Sequence, residues 1–471
     1  MNGVFIDKVS IEEQLGIASK INGMLGSGKR YAHVMTFGCQ QNEADSEQIA
    51  GTLLLMGFEP TEDKENADII IVNTCAIREH AELKALSKTG QLRKLKEKKP
   101  SLLIGVCGCM AEESHRRDKL IESYPAVDFV FGTDRLYMLP EIVLNALNSR
   151  KRRVYVSDLP HDEFGIIAEG MPVLRKYKHK AYVSIMYGCN NFCTYCVVPH
   201  VRGRERSRET SAVLADVKEL VDGGCKDITL LGQNVNSYKG ELDFPHLLEK
   251  AVSFDGEYWV RFMTSHPKDV SRELAEVIAS HENAAKHFHL PFQAGNNRIL
   301  RLMNRKYTIE EYEEKAMYIK ETIKDVSLTT DVICGFPTET EKEFLQTCDA
   351  VRRIGFDMIF TFLYSPRENT VAAKMDGQIP HEEKVRRFEL LSEIQNANAE
   401  KNNLSYVGKT VKVLCDGYEN GIFTGRTGQN KIVNFRSEKK EELLKGSFVN
   451  VKIDTAAAYI LSGSEENEFG K

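Results

Sequence analysis

A long apolar run is the first thing this 471-residue sequence lacks. No stretch reaches the roughly 18–20 apolar residues that a helix needs to cross a bilayer. The start, MNGVFIDKVSIEEQLG, has neither the basic segment nor the long apolar core of a secretion signal. These absences predict a cytoplasmic protein without membrane contact. In that reducing compartment, metal binding explains eleven cysteines better than disulfides do.

Charge of one sign is also scarce, since 63 Lys and Arg stand against 68 Asp and Glu, a net charge of −5. This mild acidity does not favour attraction of the whole protein to nucleic acid, although local basic patches remain possible. Charged residues make up 28% and hydrophobic residues 42% of the chain, which excludes a disordered class. The length predicts two to four domains.

Three cysteines share one short loop, with the spacing C-x3-C-x2-C: Cys189, Cys193 and Cys196. The chain has no second C-x2-C pair of the kind that a closed zinc site usually adds. Three thiolates at this spacing can each bind one iron of a 4Fe-4S cluster and leave the fourth iron open. Because an open iron can chelate S-adenosylmethionine (SAM), the spacing predicts a radical-SAM enzyme. A zinc site or three unrelated buried cysteines is the alternative.

Residues 31–150 alternate between strand and helix patterns, which predicts a doubly wound parallel α/β domain. Cys39, Cys75 and Cys109 each follow a predicted strand. The carboxyl ends of parallel strands share one edge of a sheet, so these thiols should converge and hold a second 4Fe-4S cluster. The alternative is that they are small buried hydrophobes. Cys107 competes with Cys109, but it lies on a strand and should point into the core.

Residues 175–403 repeat the strand–helix pattern six times, which predicts a partial (β/α)6 barrel with its site at the carboxyl ends of the strands. Polar residues at these ends are candidates for binding SAM, and turn hydrogen bonds are the alternative for them. The candidates are Gln233, Asn234, Ser265, Gln293 and Asp331.

The remaining segments are a polar extension (1–30) containing a short helix, a linker (151–174), a small all-β module (404–464) and a polar tail (465–471). Five short predicted strands make the module a barrel or sandwich, a shape often used for RNA, although a generic appendage is the alternative. An arginine cluster after the cysteine loop favours a polyanion such as RNA, with surface ion pairs to Glu205 and Glu209 as the alternative. The predicted RNA contacts are Arg202, Arg204 and Arg206, with Arg426 and Lys431 in an exposed hairpin of the module.

Taken together, the chain resembles the radical-SAM methylthiotransferases over about residues 30–464. The resemblance rests on the three dispersed cysteines, the CNNFCTYC loop and a C-terminal TRAM domain. Three stretches are similar to the branch of the family that acts on tRNA: YGCNNFCTYCVVP, LLGQNVNSY and GRTGQNKIVNF. The resemblance implies Cys189, Cys193 and Cys196 for the radical-SAM cluster. It implies Cys39, Cys75 and Cys109 for the auxiliary cluster, because the GCMA context favours Cys109 over Cys107.

The resemblance also implies a reaction. One SAM methylates a sulfur on the auxiliary cluster, and a second SAM yields a radical that removes hydrogen from C2 of an adenine. The methylthio group then joins C2 of an N6-isopentenyladenosine next to the anticodon, a base that must be unstacked first. The implied partners are tRNA, a reductant such as flavodoxin or ferredoxin, and proteins that deliver Fe-S clusters or sulfur.

Three rival functions stay open at this stage. The same chemistry could act on threonylcarbamoyl-adenosine in tRNA or on an aspartate of a ribosomal protein. The third rival is a non-catalytic iron–sulfur protein that binds RNA.

Overall fold

The N-terminal domain is built on a six-stranded parallel sheet in a computed structural model that describes residues 4–5, 8–77, 79–149, 151–156 and 166–466. Its elements are, in chain order, β1 (Val4–Phe5), α1 (Lys8–Leu25), β2 (Arg30–Thr36), α2 (Gln40–Leu55), β3 (Phe58–Pro60), β4 (Ile69–Thr74), α3 (Glu79–Lys98), β5 (Leu103–Gly108), α4 (Cys109–Glu112), α5 (Ser114–Ser123), β6 (Phe129–Phe131), a 3-10 helix (Thr133–Met138), α6 (Leu139–Asn148) and β7 (Arg153–Tyr155). The strand order is β3-β2-β4-β5-β6-β7, and β1 lies outside this sheet.

Helices cover both faces of this sheet, as a doubly wound fold requires. Residues of α1, α2 and α6 fill one core, and residues of α3, α4 and α5 fill the other. The strands β4 and β5 are buried along their whole length, which explains the apolar run IIIV that begins β4 and the uncharged sequence LIGVCG of β5. Strands β3 and β4 lie on opposite sides of β2, so the order of the strands reverses between β2 and β4. In doubly wound folds, ligands bind at the carboxyl ends of the strands next to such a reversal.

Two segments that the sequence assigned to an extension and a linker pack into this domain. Helix α1 is longer than expected and buries Ala18 and Ile21 completely. Arg153–Tyr155 forms the sixth strand, β7, instead of linker. The short edge strand β3 was also missed. The rest of the predicted linker includes residues 157–165, which lie outside the described part of the chain.

The central domain is an open barrel of six parallel strands, and the predicted partial (β/α)6 barrel is confirmed. Its elements are β8 (Ile166–Ile167), β9 (Lys180–Ser184), β10 (Met186–Tyr187), α7 (Val198–Val201), β11 (Arg206–Ser207), α8 (Thr210–Asp222), β12 (Asp227–Leu231), α9 (Phe244–Val252), β13 (Trp259–Phe262), α10 (Arg272–Ser280), β14 (His287–His289), α11 (Asn297–Leu302), α12 (Ile309–Thr322), β15 (Ser327–Cys334), α13 (Glu341–Ile354), β16 (Met358–Leu363) and α14 (His381–Leu404), with 3-10 turns at Val235–Ser237, Pro267–Asp269 and Ala372–Lys374.

Two three-stranded sheets, β9-β12-β13 and β14-β15-β16, form this barrel. A parallel bridge between Val260 and Ala284 joins them just before β14. Helices α12 and α13 begin with capping boxes, in which Thr308 pairs with Glu311 and Thr340 with Glu343. One continuous core of buried apolar side chains joins the strands to these outer helices. Strand β8 pairs with β1 of the N-terminal segment.

The C-terminal domain is a small closed barrel, which confirms the predicted all-β module. Its elements are β17 (Thr410–Glu419), β18 (Ile422–Thr427), β19 (Ile432–Arg436), α15 (Glu441–Leu444), β20 (Phe448–Ala456) and β21 (Ile460–Glu465). Strand order is β17-β18-β19-β21-β20. No helix in the described ranges is long and apolar enough to span a membrane.

Candidate iron–sulfur and SAM site

The sheet brings the three dispersed cysteines together at its switch point. Cys39 follows β2 and caps α2, Cys75 follows β4, and Cys109 is the first residue of α4 after β5. The strands β2, β4 and β5 are neighbours, so three residues far apart in sequence meet at one sheet edge. Cys75 and Cys109 are fully buried and Cys39 is half-buried, whereas Cys107 lies on β5 inside the core.

The charges of these thiols depend on each other, which requires that they be close. A hydrogen bond from Cys75 and, to a smaller extent, the charge of Arg202 lower the pKa of Cys39 to about 6 against the effect of burial. The same hydrogen bond raises the pKa of Cys75, with burial and the charge of Cys109 adding to the effect. Burial raises the pKa of Cys109 to about 11, and Arg202 partly offsets that rise. The cluster therefore contains one readily ionised thiol beside two that a metal would have to deprotonate.

A buried pair of asparagines holds this edge in shape. Asn42 Nδ2 donates to Asn73 Oδ1 and to the Thr74 carbonyl, both at 3.0 Å. Asn73 Nδ2 returns a bond to the Asn42 carbonyl at 2.9 Å. Asn42 Oδ1 lies 3.2 Å from Cys39 Sγ. Both side chains are fully buried, so the network links the first turn of α2 to the end of β4.

The second triad, the local triad of Cys189, Cys193 and Cys196, lies in one loop of the barrel domain, residues 188–205. The chain leaves the barrel at Ile185, and the antiparallel pair β10–β11 closes the base of the loop. This explains why the predicted strand at 181–187 is divided into β9 and β10. Gly188 has φ +70°, and a Cβ atom there would lie 2.1 Å from the Arg204 carbonyl oxygen, so the loop requires glycine at this position.

The thiols of this loop lie near one another, and two of them accept hydrogen bonds from neighbouring side chains. Asn191 Nδ2 donates to Cys189 Sγ at 3.4 Å, and Arg305 Nη1 donates to Cys193 Sγ at 3.4 Å. Burial raises the pKa of Cys189 to about 11, and burial together with the charges of Cys193 and Cys189 raises the pKa of Cys196. Their mutual influence again indicates that the three sulfurs lie near one another, as ligands of three different irons of one cluster would.

The two triads lie on either side of one domain boundary. Cys109 packs with Val197 and Val201, which directly follow the local triad. On another side, Arg367 donates to buried Glu82 at 3.2 Å and to the Ile77 carbonyl at 3.1 Å, next to Cys75. Direct contacts from the barrel domain therefore reach Cys109 itself and Ile77, two residues after Cys75.

The structure contradicts the expected RNA role of Arg202 and Arg206. Arg202 forms an ion pair with Asp45 at 2.7 Å, and Arg206 forms one with Asp134 at 2.9 Å. Both guanidinium groups are buried, so they cannot meet a phosphate. For these two arginines the alternative of surface ion pairs to Glu205 and Glu209 is wrong as well, because their partners are buried carboxylates of the N-terminal domain. Arg204 is exposed and lies over the Phe192 ring at 4.4 Å, and its RNA contact stays a prediction.

The hairpin at 425–431 is likewise not the exposed loop that the sequence predicted. It packs against the amino-terminal ends of the barrel strands, where Arg261 donates to the carbonyls of Thr427 and Gly428 at 2.8 and 2.9 Å. Lys431 is buried in an ion pair with Asp357 at 2.6 Å, which rules out its predicted RNA contact. Arg426 is half-buried and bonds to Asn430.

Gln233, Asn234, Ser265 and Gln293 follow strands of the barrel at one end, as predicted. Asp331 lies within β15, and the ligand roles of all five stay predictions. Asn234 Nδ2 donates to Asp269 at 2.8 Å, while Asn234 Oδ1 is buried with no partner among the described residues. Ser265 donates to the His289 carbonyl, the kind of local bond that was the alternative. Asp331 lies 3.6 Å from His289 Nε2. Gln233 is half-buried, and Gln293 is buried with φ +71°.

Sequence reasoning missed the side chains that support the sulfurs. Arg305 lies more than a hundred positions from Cys193, and Asp45 lies 157 positions from its partner Arg202. Neither belongs to a motif, so no signal in a single sequence marks them.

Comparison with known families agrees with this three-part layout. Residues 31–132 match the model described as "Uncharacterized protein family UPF0004". Residues 183–351 match the radical SAM superfamily, and residues 404–464 match the TRAM domain. The fold and the local triad thus define a radical-SAM protein, whose superfamily implies an iron–sulfur cluster and SAM.

Curated relatives define the family more closely. The chain is 46% identical over 446 residues to the tRNA-2-methylthio-N(6)-dimethylallyladenosine synthase of Acetivibrio thermocellus, covering 93% of this chain and 92% of the relative. It is 44% identical over 467 residues to the synthase of Thermoanaerobacter pseudethanolicus, covering 98% of both. The chain belongs to the family of these tRNA methylthiotransferases.

Solved structures support the fold alone. The radical SAM methyltransferase TsrM from Kitasatospora setae superposes with a TM-score of 0.55 at 14% identity, covering 74% of this chain and 77% of that one. The radical enzyme OxsB gives a TM-score of 0.50 at 12% identity, covering 78% of this chain and 56% of that one.

Proposed function

We propose that this protein inserts a methylthio group at C2 of N6-dimethylallyladenosine next to the anticodon of a tRNA, using two 4Fe-4S clusters and SAM. The family supports the reaction. The observation that carries the two-cluster assignment is the presence of two separate thiol triads that meet at one domain boundary. Three sulfurs in each group suit a cluster with one open iron.

Cys189, Cys193 and Cys196 would hold the radical-SAM cluster, and Cys39, Cys75 and Cys109 the auxiliary one. When bound, these groups supply the electron that cleaves SAM and the site that carries the transferred sulfur. The donor chemistry fits, because each triad is buried or half-buried and receives hydrogen bonds to its sulfurs from Arg202, Arg305 or Asn191. Such bonds stabilise thiolate ligands and orient them.

The remaining residues of the site position ligands and exclude water. The apolar contact of Cys109 with Val197 and Val201 seals the boundary between the triads. Asn234 follows β12, Ser265 follows β13 and Asp331 lies within β15. These three residues are at or near the carboxyl ends of the barrel strands, where SAM would bind. A reductant such as flavodoxin or ferredoxin, and proteins that deliver clusters or sulfur, complete the proposed partners.

Nucleoside analysis of tRNA tests this function. Expression of the chain in a host that has lost its own synthase should restore methylthio-isopentenyladenosine, and the Cys193→Ala variant should not restore it. Persistence of unmodified isopentenyladenosine with the iron-loaded wild-type protein present would contradict the proposal. Appearance of methylthio-threonylcarbamoyl-adenosine instead would transfer the chemistry to the rival substrate.

A further inference from the structure

Arg202 connects the loop of one triad to a sulfur of the other. It follows α7, six positions after Cys196, and therefore belongs to the loop of the local triad. Its side chain nevertheless ends in the N-terminal domain, where Nε donates to Cys109 Sγ at 3.2 Å and Nη2 donates to Asp45 Oδ2 at 2.7 Å. The side chain is only 4% exposed, so solvent does not screen these contacts.

The geometry of this contact is fixed from both sides. A guanidinium is planar, and its donors point in set directions, so one orientation serves the sulfur and the carboxylate together. Asp45 is itself held by Gln41, whose Nε2 donates to Asp45 Oδ1 at 3.0 Å. Moving Arg202 away would leave a buried carboxylate without its cation, which is strongly unfavourable. The contact therefore also sets the position of Cys109 relative to α7.

Arg305 supplies an internal comparison. Its Nη1 donates to Cys193 Sγ at 3.4 Å, and its other nitrogens bond to Tyr307 and to the Pro291 carbonyl, both at 3.0 Å. Each triad thus has one sulfur that accepts a bond from a buried arginine. The difference is that Arg305 and Cys193 share the barrel domain, whereas Arg202 and Cys109 lie in different domains.

We propose that Arg202 is a positioning residue that raises the reduction potential of the auxiliary cluster and couples it to the loop of the radical-SAM cluster. This inference rests on the proposed function for the presence of that cluster. A cationic donor to a ligand sulfur stabilises the more negative, reduced state of a cluster, and hydrogen bonds to sulfur are among the main determinants of cluster potential. Asp45 contributes the opposite charge, so its removal should act in the opposite direction.

The test is an anaerobic redox titration of the full-length, reconstituted protein, in which electron paramagnetic resonance monitors the reduced cluster. A background in which Cys189, Cys193 and Cys196 are all alanine leaves the auxiliary cluster as the species observed. In that background Arg202→Met should lower the midpoint potential, and Asp45→Asn should raise it. Arg175→Met is the control, because it breaks an ion pair to Glu47 of α2 at 2.9 Å across the same boundary, and it should leave the potential unchanged.

The opposite signs separate a specific role from general loosening of the interface. An unchanged potential in Arg202→Met at full cluster content would overturn the inference, as would a shift of both variants in the same direction. If Arg202→Met does not fold, comparison of Asp45→Asn with Asp45→Asn/Arg202→Met isolates the arginine, and the double variant should have the lower potential. Normal tRNA modification by Arg202→Met with all six cysteines present, together with an unmoved potential in the triple-alanine background, would remove the role of Arg202 and leave the proposed function standing.

Discussion

Cys189, Cys193 and Cys196 lie within eight residues of one another, whereas Cys39, Cys75 and Cys109 span 71 residues and follow three different strands. The first triad needs only one loop whose base is closed by β10 and β11. The second exists only after β2, β4 and β5 have paired and α2 has docked on them. Two proposed sets of three thiol ligands therefore depend on folding to very different degrees.

The largest expected effects come from removing one thiol of each triad. Cys193→Ala should lower SAM cleavage by more than about 100-fold, because loss of a ligand should exceed the 10–100-fold cost of losing a supporting group. Cys75→Ala should keep SAM cleavage and lose sulfur transfer. Measurement of 5′-deoxyadenosine with dithionite, alongside methylthio-nucleoside product, checks both. Equal SAM cleavage in wild type and Cys193→Ala would refute the assignment.

A matched pair of glycine substitutions tests the two routes of assembly. Gly108 has φ +93°, and a Cβ atom there would lie 2.3 Å from the Thr74 carbonyl oxygen; Gly188 meets a comparable obstacle at Arg204. Alanine at either position should cost about 1–3 kcal/mol through backbone strain. Gly108→Ala should lose the auxiliary cluster and Gly188→Ala the radical-SAM cluster, each leaving about four of about eight irons.

Iron and sulfide counts with Mössbauer spectroscopy would identify which cluster remains in each glycine variant. Loss of both clusters from Gly108→Ala would mean that the local triad also depends on the N-terminal sheet. Full iron content in both variants would show that neither backbone position limits assembly.

The smallest expected effect concerns the carboxyl of Glu112, the last residue of α4, which begins at Cys109. Burial, with the charge of Asp134 second, raises the pKa of Glu112 to about 7. Because the folded pKa exceeds the unfolded one, ionisation opposes folding, and stability should fall from about pH 4.5 to pH 7 and level off above. Glu112→Gln should therefore stabilise the apo protein at pH 8, on the order of 1–3 kcal/mol, with no gain at pH 4.

Urea unfolding of the apo protein at these two pH values would measure the effect. The glutamine oxygen can still accept the bond that the Thr133 N–H donates to Glu112 Oε1 at 2.6 Å, so the charge is what changes. An equal gain at both pH values would attribute the stabilisation to packing instead.

The local triad could be predicted from the sequence, since the spacing of its three cysteines is enough to suggest it. The dispersed triad could be predicted only from the expected sheet topology, because each of its cysteines follows a strand of a predicted parallel sheet. The burial of Arg202, Arg206 and Lys431 could not be predicted from the sequence. Their partners Asp45, Asp134 and Asp357 lie 72 to 157 positions away, and a charge that looks solvated in the sequence becomes buried when such a partner arrives. The packing of helix α1 into the N-terminal domain was also missed, because a helix with few apolar residues can still pack against a sheet through those residues.

The position of the C-terminal barrel beneath the strand starts has a consequence for the length of RNA that the enzyme can hold. Arg261 and Lys431 fasten it at the end of the central barrel opposite to both triads. Eight residues of β15 separate those two ends, a height of roughly 25 Å. A nucleic acid that touches the C-terminal barrel while presenting its base at the end with the two triads must reach along that height, which a free nucleoside cannot do and a stem of several base pairs can.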